Sequence, residues 1–533
     1  MDKVFRKRFF SCFDEMKTLY SELYDDDECF NEFCERLEKY YEKRPESLKN
    51  LDLKREKYPN RYLDKVLSGI ELHMENDVKT LHDVQGVLGF YNKNGVNVLD
   101  LGYVLSNSKK NNNPGAITDY RKLQSEYGKI GELLLLSASC HRKNMKVCID
   151  VNISFTADNH KWAKKLMADD PVYMSRYILV ENGDEANAYD ERIEGEFKYK
   201  KDGAFTYLPE KDKYVMSTNN THSWDINYKN PMVLNKMIRN LLFLANNGVD
   251  VFRIRDDKYV WKDLESGAVN PDKSEKIMRL YRLAFEIVCP GVLLWTDSSY
   301  NGHIISDRSV VDIIWHTLAT QNCKLLKAHM DRMCEQPKEI IFSNSPLGVE
   351  PIKWELDYGL LAEEAINEKD HKRFLSEYYG GCYDSVADMS GIIKAINASD
   401  SDALDIAKKK YMLIYAFMIF KCGMPVICER DENMIPEVHE VLCKLERFRQ
   451  ELKVFNTFAD RWTMDTWDAG TLALGRYYDG QKLIAVFNFS DTDRTAWINE
   501  NDGDYYELST GDVLKAEGVV VNAYSFRLLK KDF

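Results

Sequence analysis

The first 58 residues place Leu, Phe and Tyr at helical spacing among Glu and Lys, as in FDEMKTLYSELY and FNEFCERLEKYYEKR, with almost no Gly. Apolar positions at i, i+3, i+4 and i+7 predict two or three amphipathic helices, an all-helical leader. From about residue 66 the texture changes. Short apolar runs rich in β-branched residues now alternate with longer amphipathic stretches, and eight runs read as strands: 69–76, 96–104, 146–153, 249–257, 291–298, 310–315 (VVDIIW), 339–345 and 424–430. Strands alternating with helices eight times are the rhythm of a (β/α)8 barrel, although an open doubly wound sheet has the same local pattern. The stretch 156–222 is too long for an ordinary βα connection and predicts an inserted subdomain over the barrel mouth. After about residue 450 the helical period gives way to alternation with turn signals, as in TLALGRYYDGQKLIAVFNFSD, which predicts a C-terminal antiparallel β domain over 451–533. The organisation expected is therefore a helical region at 1–58, a barrel at 59–450 with its insert, and the terminal β domain.

Composition narrows the chemistry. Of 533 residues, 44% are hydrophobic and 30% charged, and the net charge is −13. No stretch approaches the ~20 apolar residues of a spanning helix, and the basic start MDKVFRKRFF is too interrupted by charge for a signal peptide, so a soluble cytoplasmic protein is expected. The acidic balance, with no basic block longer than Lys408–Lys410, argues against nucleic acid and membrane as partners. Twelve scattered cysteines without a CxxC pair read as thiols rather than a disulfide framework or a zinc site. No P-loop, HExxH or GxSxG occurs, and neither a metal nor a cofactor is expected. The acidic run NGDEANAYDERIEGE lacks the spacing of a calcium loop and reads as a solvated face.

The segment HSWDINYKNPMVLNKMIRNLLFLANNGVDVFRIRDDKYVWK (222–262) resembles the amylosucrase-like branch of glycoside hydrolase family 13, the α-amylase family. DNHKWAKK (158–165), WHTLAT (315–320) and CGMPVICERDE (422–432) resemble it in the same order. The resemblance implies a (β/α)8 barrel acting on α-glucosidic bonds with retention at the C-terminal ends of its strands. Retention needs two carboxyl groups ~5–5.5 Å apart, one a nucleophile and one an acid/base. Carried over position by position, the fourth strand supplies Arg253 and then Arg255 where the family has its nucleophilic Asp, and an arginine cannot attack. The fifth strand supplies Asp297 at the acid/base Glu position. The seventh supplies Asn344 and Ser345 where a His-Asp pair should stabilise the transition state. The third keeps Asp150 but carries Ser154-Phe155 for Asn-His, and the stacking Tyr aligns with Ala116.

Five departures at once imply a pseudoenzyme without glycosidase or glucosyltransferase activity, acting by binding carbohydrate or, through its N-terminal helices, another protein. Two alternatives stand beside it. An active α-glucan or sucrose enzyme would need substituted carboxylates, such as Asp256 turned inward by a bulge or Asp257 in the loop beyond. A sugar-phosphate site would use Arg253 and Arg255 as anion ligands. Two cations on one strand face call for a counter-charge, and Asp297 on the next strand is the partner expected. Asp150, Asn344 and Trp295 complete the candidate ligand-binding set. Trp295 and Trp261 read as sugar platforms or barrel packing, His160, His222 and His316 as structural, and Glu429, Asp431 and Glu432 as a structural carboxylate group. In the leader, Phe9, Phe10, Phe13, Leu19 and Leu23 form a face that either packs on the barrel or docks a second chain.

Overall fold

The computed structural model describes residues 2–56, 69–71, 79–110, 113–192, 203–307, 309–344, 357–378, 401–428, 436–500 and 502–533. Eight parallel strands close a barrel in sequential order: β1 (Gly69–Glu71), β2 (Val98–Asp100), β3 (Lys146–Asn152), β4 (Val251–Arg255), β5 (Leu293–Thr296), β6 (Ile304–Ser306), β7 (Ile341–Asn344) and β8 (Met424–Cys428). Seven of the eight predicted runs hold a barrel strand. The sixth does not: VVDIIW lies inside the helix Ser309–Thr320, and the strand is the short IIS segment before it. Val310, Val311, Asp312, Ile313, Ile314 and Trp315 are all buried, so this stretch of the helix is covered on every side and shows no exposed polar stripe to separate it from a buried strand.

By contacts the chain divides into two compact units, 1–61 with 73–88 and 99–305, and 62–72 with 89–98 and 306–533. In the first, β3, β4 and β5 lie side by side, with Arg253 opposite Asp150 on one neighbour and Trp295 on the other. The helices flanking β4, Pro231–Asn246 and Pro271–Val288, start alike. An Asn N-cap accepts a backbone N–H and Pro occupies the first turn, where its missing donor costs nothing. The first ends in a Schellman turn, with Val249 N–H on the Leu244 carbonyl and Gly248 at φ +97°. A Cβ on Gly248 would stand 2.6 Å from that of Ser137, so both the conformation and the close approach require glycine.

Three leader helices, α1 (Lys3–Tyr24), α2 (Asp27–Glu42) and α3 (Glu46–Glu56), belong to the same unit, and α1 and α2 pack on those flanking helices. Phe5, Phe9, Met16, Tyr20, Phe30, Phe33 and Leu37 are buried. Tyr20 donates to the Asn235 side chain at 3.1 Å, and Asn235 donates to the Cys29 carbonyl at 3.0 Å. Arg55 pairs with Asp250 at 2.9 Å, just before β4. Burial alone would raise the Asp250 carboxyl, but Arg55 and His141 overcome it and hold it well below the usual range. Of the two roles read for the leader face, these contacts carry packing. Phe9 is buried and Phe13, Leu19 and Leu23 are half-buried, leaving Phe10 exposed, so the face is engaged within its own unit rather than held open for a second chain.

Between β3 and β4 a three-stranded antiparallel sheet, Leu179–Val180, Lys213–Met216 and Phe205–Leu208, packs with the helix Gly183–Arg192 around Ile178, Tyr189, Phe205 and Met216. The second unit carries a six-stranded antiparallel sheet over Asp460–Asp532, whose core includes Ile484, Val486, Tyr505 and Leu529. Among the described residues no helix is long and apolar enough to cross a membrane, and the described cysteines are free.

Candidate functional site

A parallel strand buried on both faces reads as a continuous apolar run. The charged residues that interrupt β2, β3 and β4 therefore need partners inside the barrel. Asp100 closes the apolar run of β2, is 1% exposed, and accepts the Arg253 guanidinium at 3.0 Å. Asp150 on β3, 2% exposed, accepts Arg255 at 2.8 and 2.9 Å and lies 4.0 Å from Arg253. Arg253 and Arg255 are two apart on β4 and so share a face, as the pleat requires. The partner expected for Arg255 was Asp297; the ion pair in the structure is with Asp150, on the opposite neighbouring strand. Two guanidinium and two carboxylate groups thus form one balanced, nearly dry cluster at the end of β4. The flat face of Arg253 also lies 4.2 Å from the centre of the Trp295 ring.

Asp297 follows β5 at the level of Arg255, since Ile254 and Thr296 are register partners. Its carboxylate accepts the Asp256 backbone N–H at 3.3 Å. In return Asp257, 1% exposed, accepts the backbone N–H groups of Asp297 at 3.0 Å and Ser299 at 2.6 Å and the Ser298 hydroxyl at 3.0 Å. The two carboxylates brace the ends of β4 and β5 against each other. Burial, reinforced by the nearby Asp297 charge, pushes the Asp257 carboxyl up to about 6. Asp256 sits at φ +58°, a left-handed conformation, with the Asn152 amide 3.4 Å from its carboxylate.

The end of β3 is occupied differently again. Asn152 accepts the Ser154 and Phe155 backbone N–H groups and the Ser154 hydroxyl, and Phe155 packs with Ala116 and Ala157 in a small apolar cluster. Where the resemblance calls for a His and for a stacking Tyr, the side chains are a phenylalanine and an alanine. In the second unit Asn344 is fully buried and donates to the Cys422 carbonyl at 3.1 Å, a tie between strand ends. Ser345, Glu429, Asp431 and Glu432 lie outside the described residues.

The two tryptophans are packing residues: Trp295 is 1% exposed beneath Arg253, and Trp261 is 4% exposed beside Tyr24 and Lys273. His160 caps the helix Lys161–Met167 by accepting the Trp162 N–H at 3.2 Å, and burial pushes it down to about 4. His222 pairs with Asp158 at 2.7 Å, and His316, also pushed down to about 4 by burial, stacks on His371. Among the described residues no group of three potential ligands is placed to hold a metal. Sequence reasoning missed Asp100 and the Asp257 brace. The signal for Asp100 was present, because a carboxylate inside VNVLDL has to meet a cation.

The profile described as "Alpha amylase, catalytic domain" matches residues 58–279. Glucosylglycerate phosphorylase from Spirochaeta thermophila is 26% identical over 189 residues, 34% of this chain and 30% of the relative. The enzyme of the same name from Allomeiothermus silvanus is 22% identical over 227 residues, 40% of this chain and 39% of its own. The matched stretch therefore spans less than two fifths of either relative. Among solved structures, the trehalulose synthase MutB from Pseudomonas mesoacidophila MX-45 superposes with a TM-score of 0.64 at 13% identity, over 88% of this chain and 99% of that one.

Proposed function

Because this chain belongs to the α-amylase family, glycoside hydrolase family 13, we propose that it is a carbohydrate-binding barrel of that family without glycosidase or glucosyltransferase activity. One observation carries the reading. The last residue of β4, at the family's nucleophile position, is Arg255, and its guanidinium is engaged by Asp150. A retaining mechanism needs a carboxylate that attacks and a second that donates a proton, and here the first is replaced by a cation. The apolar cluster of Ala116 and Phe155 and the buried, tied Asn344 support the same reading, because each removes a group that would hold the reacting sugar.

An active enzyme with replaced carboxylates would draw on Asp256, Asp257 or Asp297; Asp257 and Asp297 accept backbone N–H groups in the brace between β4 and β5, and Asp256 has the Asn152 amide 3.4 Å from its carboxylate. An anion site at the mouth would draw on Arg253 and Arg255, yet Asp100 and Asp150 neutralise them. The test is incubation with sucrose, maltose and glycogen, each with and without inorganic phosphate, since the relatives above are phosphorylases. Release of glucose, fructose or glucose 1-phosphate should be indistinguishable from buffer, and Arg255→Asp alone should not restore it. Turnover that Asp297→Asn abolishes would overturn the proposal.

A further inference from the structure

Far along the sequence from β4, the second unit contains a cavity of about 510 Å³ that nothing above uses. It lies between the start of the helix Lys324–Glu335 and the turn that joins the first two strands of the terminal sheet, Asp460–Met464 and Thr471–Tyr478. Its size is within the ~300–1,000 Å³ of small-molecule sites. Trp467, on that turn, is 84% exposed, the most exposed large apolar side chain among the described residues. It is also held at φ +56°, a left-handed conformation that is unfavourable for a bulky residue and natural for glycine. The turn around it is firmly built. The Asp468 side chain accepts the Gly470 N–H at 2.9 Å, the Thr466 hydroxyl donates to the Asp468 carbonyl at 3.0 Å, and the Ala469 carbonyl accepts the Cys323 N–H at 2.7 Å. The Trp497 N–H donates to the Thr466 carbonyl, so a second exposed indole follows the strand Arg494–Ala496 beside the turn.

A strained backbone holding an indole in water beside a cavity is a costly arrangement for packing alone, and outliers of this kind mark ligand sites. We propose that Trp467 is the platform of a saccharide-binding site distinct from the barrel. A pyranose ring offers an apolar C–H face to an indole and a rim of hydroxyls to polar groups, and the lining supplies both kinds of partner in Asn322, Asp465 and Lys327. The ligand class is a neutral sugar rather than a phosphorylated one. Lys327 lies 3.6 Å from Asp465 and 3.3 Å from Asp331, and Lys324 lies 2.9 Å from Glu364, so the cations of the lining are already answered.

The full chain is titrated with maltotriose by calorimetry. Saturable binding is expected, with affinity about tenfold weaker in Trp467→Ala and retained within about threefold in Trp467→Tyr. Trp467→Gly should abolish binding while melting at or above the parent temperature, because glycine relieves the backbone without disturbing the turn. Equal affinity in Trp467→Ala or no binding by the parent would each overturn the proposal. So would self-association that disappears in Trp467→Ala without sugar binding, which would make the face a contact between copies. Because binding is read separately from turnover, failure here leaves the catalytic silence of the barrel standing, and turnover by the barrel leaves this site standing.

Discussion

Replacing Arg255 by alanine removes one half of a nearly dry ion pair and leaves Asp150 behind. At 2.8 Å the gross attraction of the pair is about 6 kcal/mol for an effective dielectric of ~20, and at 4.0 Å the surviving attraction to Arg253 is about 4 kcal/mol. The carboxylate is therefore not orphaned. The difference, with the loss of two charge-assisted hydrogen bonds, sets the destabilisation at about 2–4 kcal/mol, towards or below the ~3–5 kcal/mol of a fully broken buried pair. Thermal unfolding followed by circular dichroism should show a melting temperature lower by about 2–7 °C. The double variant Arg255→Met with Asp150→Leu should recover most of the loss, since both charges leave together and Arg253 keeps Asp100. A single variant within about 1 °C of the parent, or a double variant worse than the sum of its parts, would refute the pairing and with it the account of why this position holds a cation.

The raised Asp257 carboxyl, at about 6 against an unfolded value of ~3.9, makes the folded chain bind the extra proton between those values. That group's contribution is fully present below about pH 4 and is lost as pH rises through about 6, roughly 3 kcal/mol in all, so melting temperatures across that range should show a downward component that Asp257→Asn removes. Deleting residues 1–58 uncovers the surfaces on which Phe5, Met16, Tyr20, Phe30 and Phe33 are buried, and should cost solubility and more than about 10 °C of melting temperature. A truncated chain that stays soluble with an unchanged melting point would refute the packing role.

The barrel was legible because β-branched runs recur between amphipathic helices, and the eight strands close in the order in which they are read. The sixth was misplaced because a short strand, Ile304–Ser306, precedes a helix buried all round, and the longer apolar run drew the assignment. Periodicity has no power where every face is covered. At the site, the pleat put Arg253 and Arg255 on one face, and the need for counter-charge followed from chemistry. Which neighbour answered did not. β3 and β5 flank β4 equally, each offers a carboxylate near the right level, and the choice of Asp150 rests on side-chain geometry that no spacing encodes. Of the two roles open to Trp295, sugar platform or barrel packing, the guanidinium over its ring leaves packing, because it uses the face a sugar would need.

The leader also bears on how the chain is made. Its helices leave the ribosome before the surfaces they pack on, which are encoded far downstream, Tyr20 and Asn235 being 215 positions apart. At ~5–20 residues per second, about 10–40 s pass before those surfaces exist. For that time the aromatic face of α1 and α2 is a sticky, unpaired segment on a growing polypeptide. The Asp2 side chain accepts the Val4 N–H at the start of α1, Asp26 accepts the Cys29 N–H at the start of α2, and Arg36 pairs with Glu32 within it, so the helices are supported locally while they wait. Such a chain closes a long loop late, and the leader stays uncovered until residue 288 has been added.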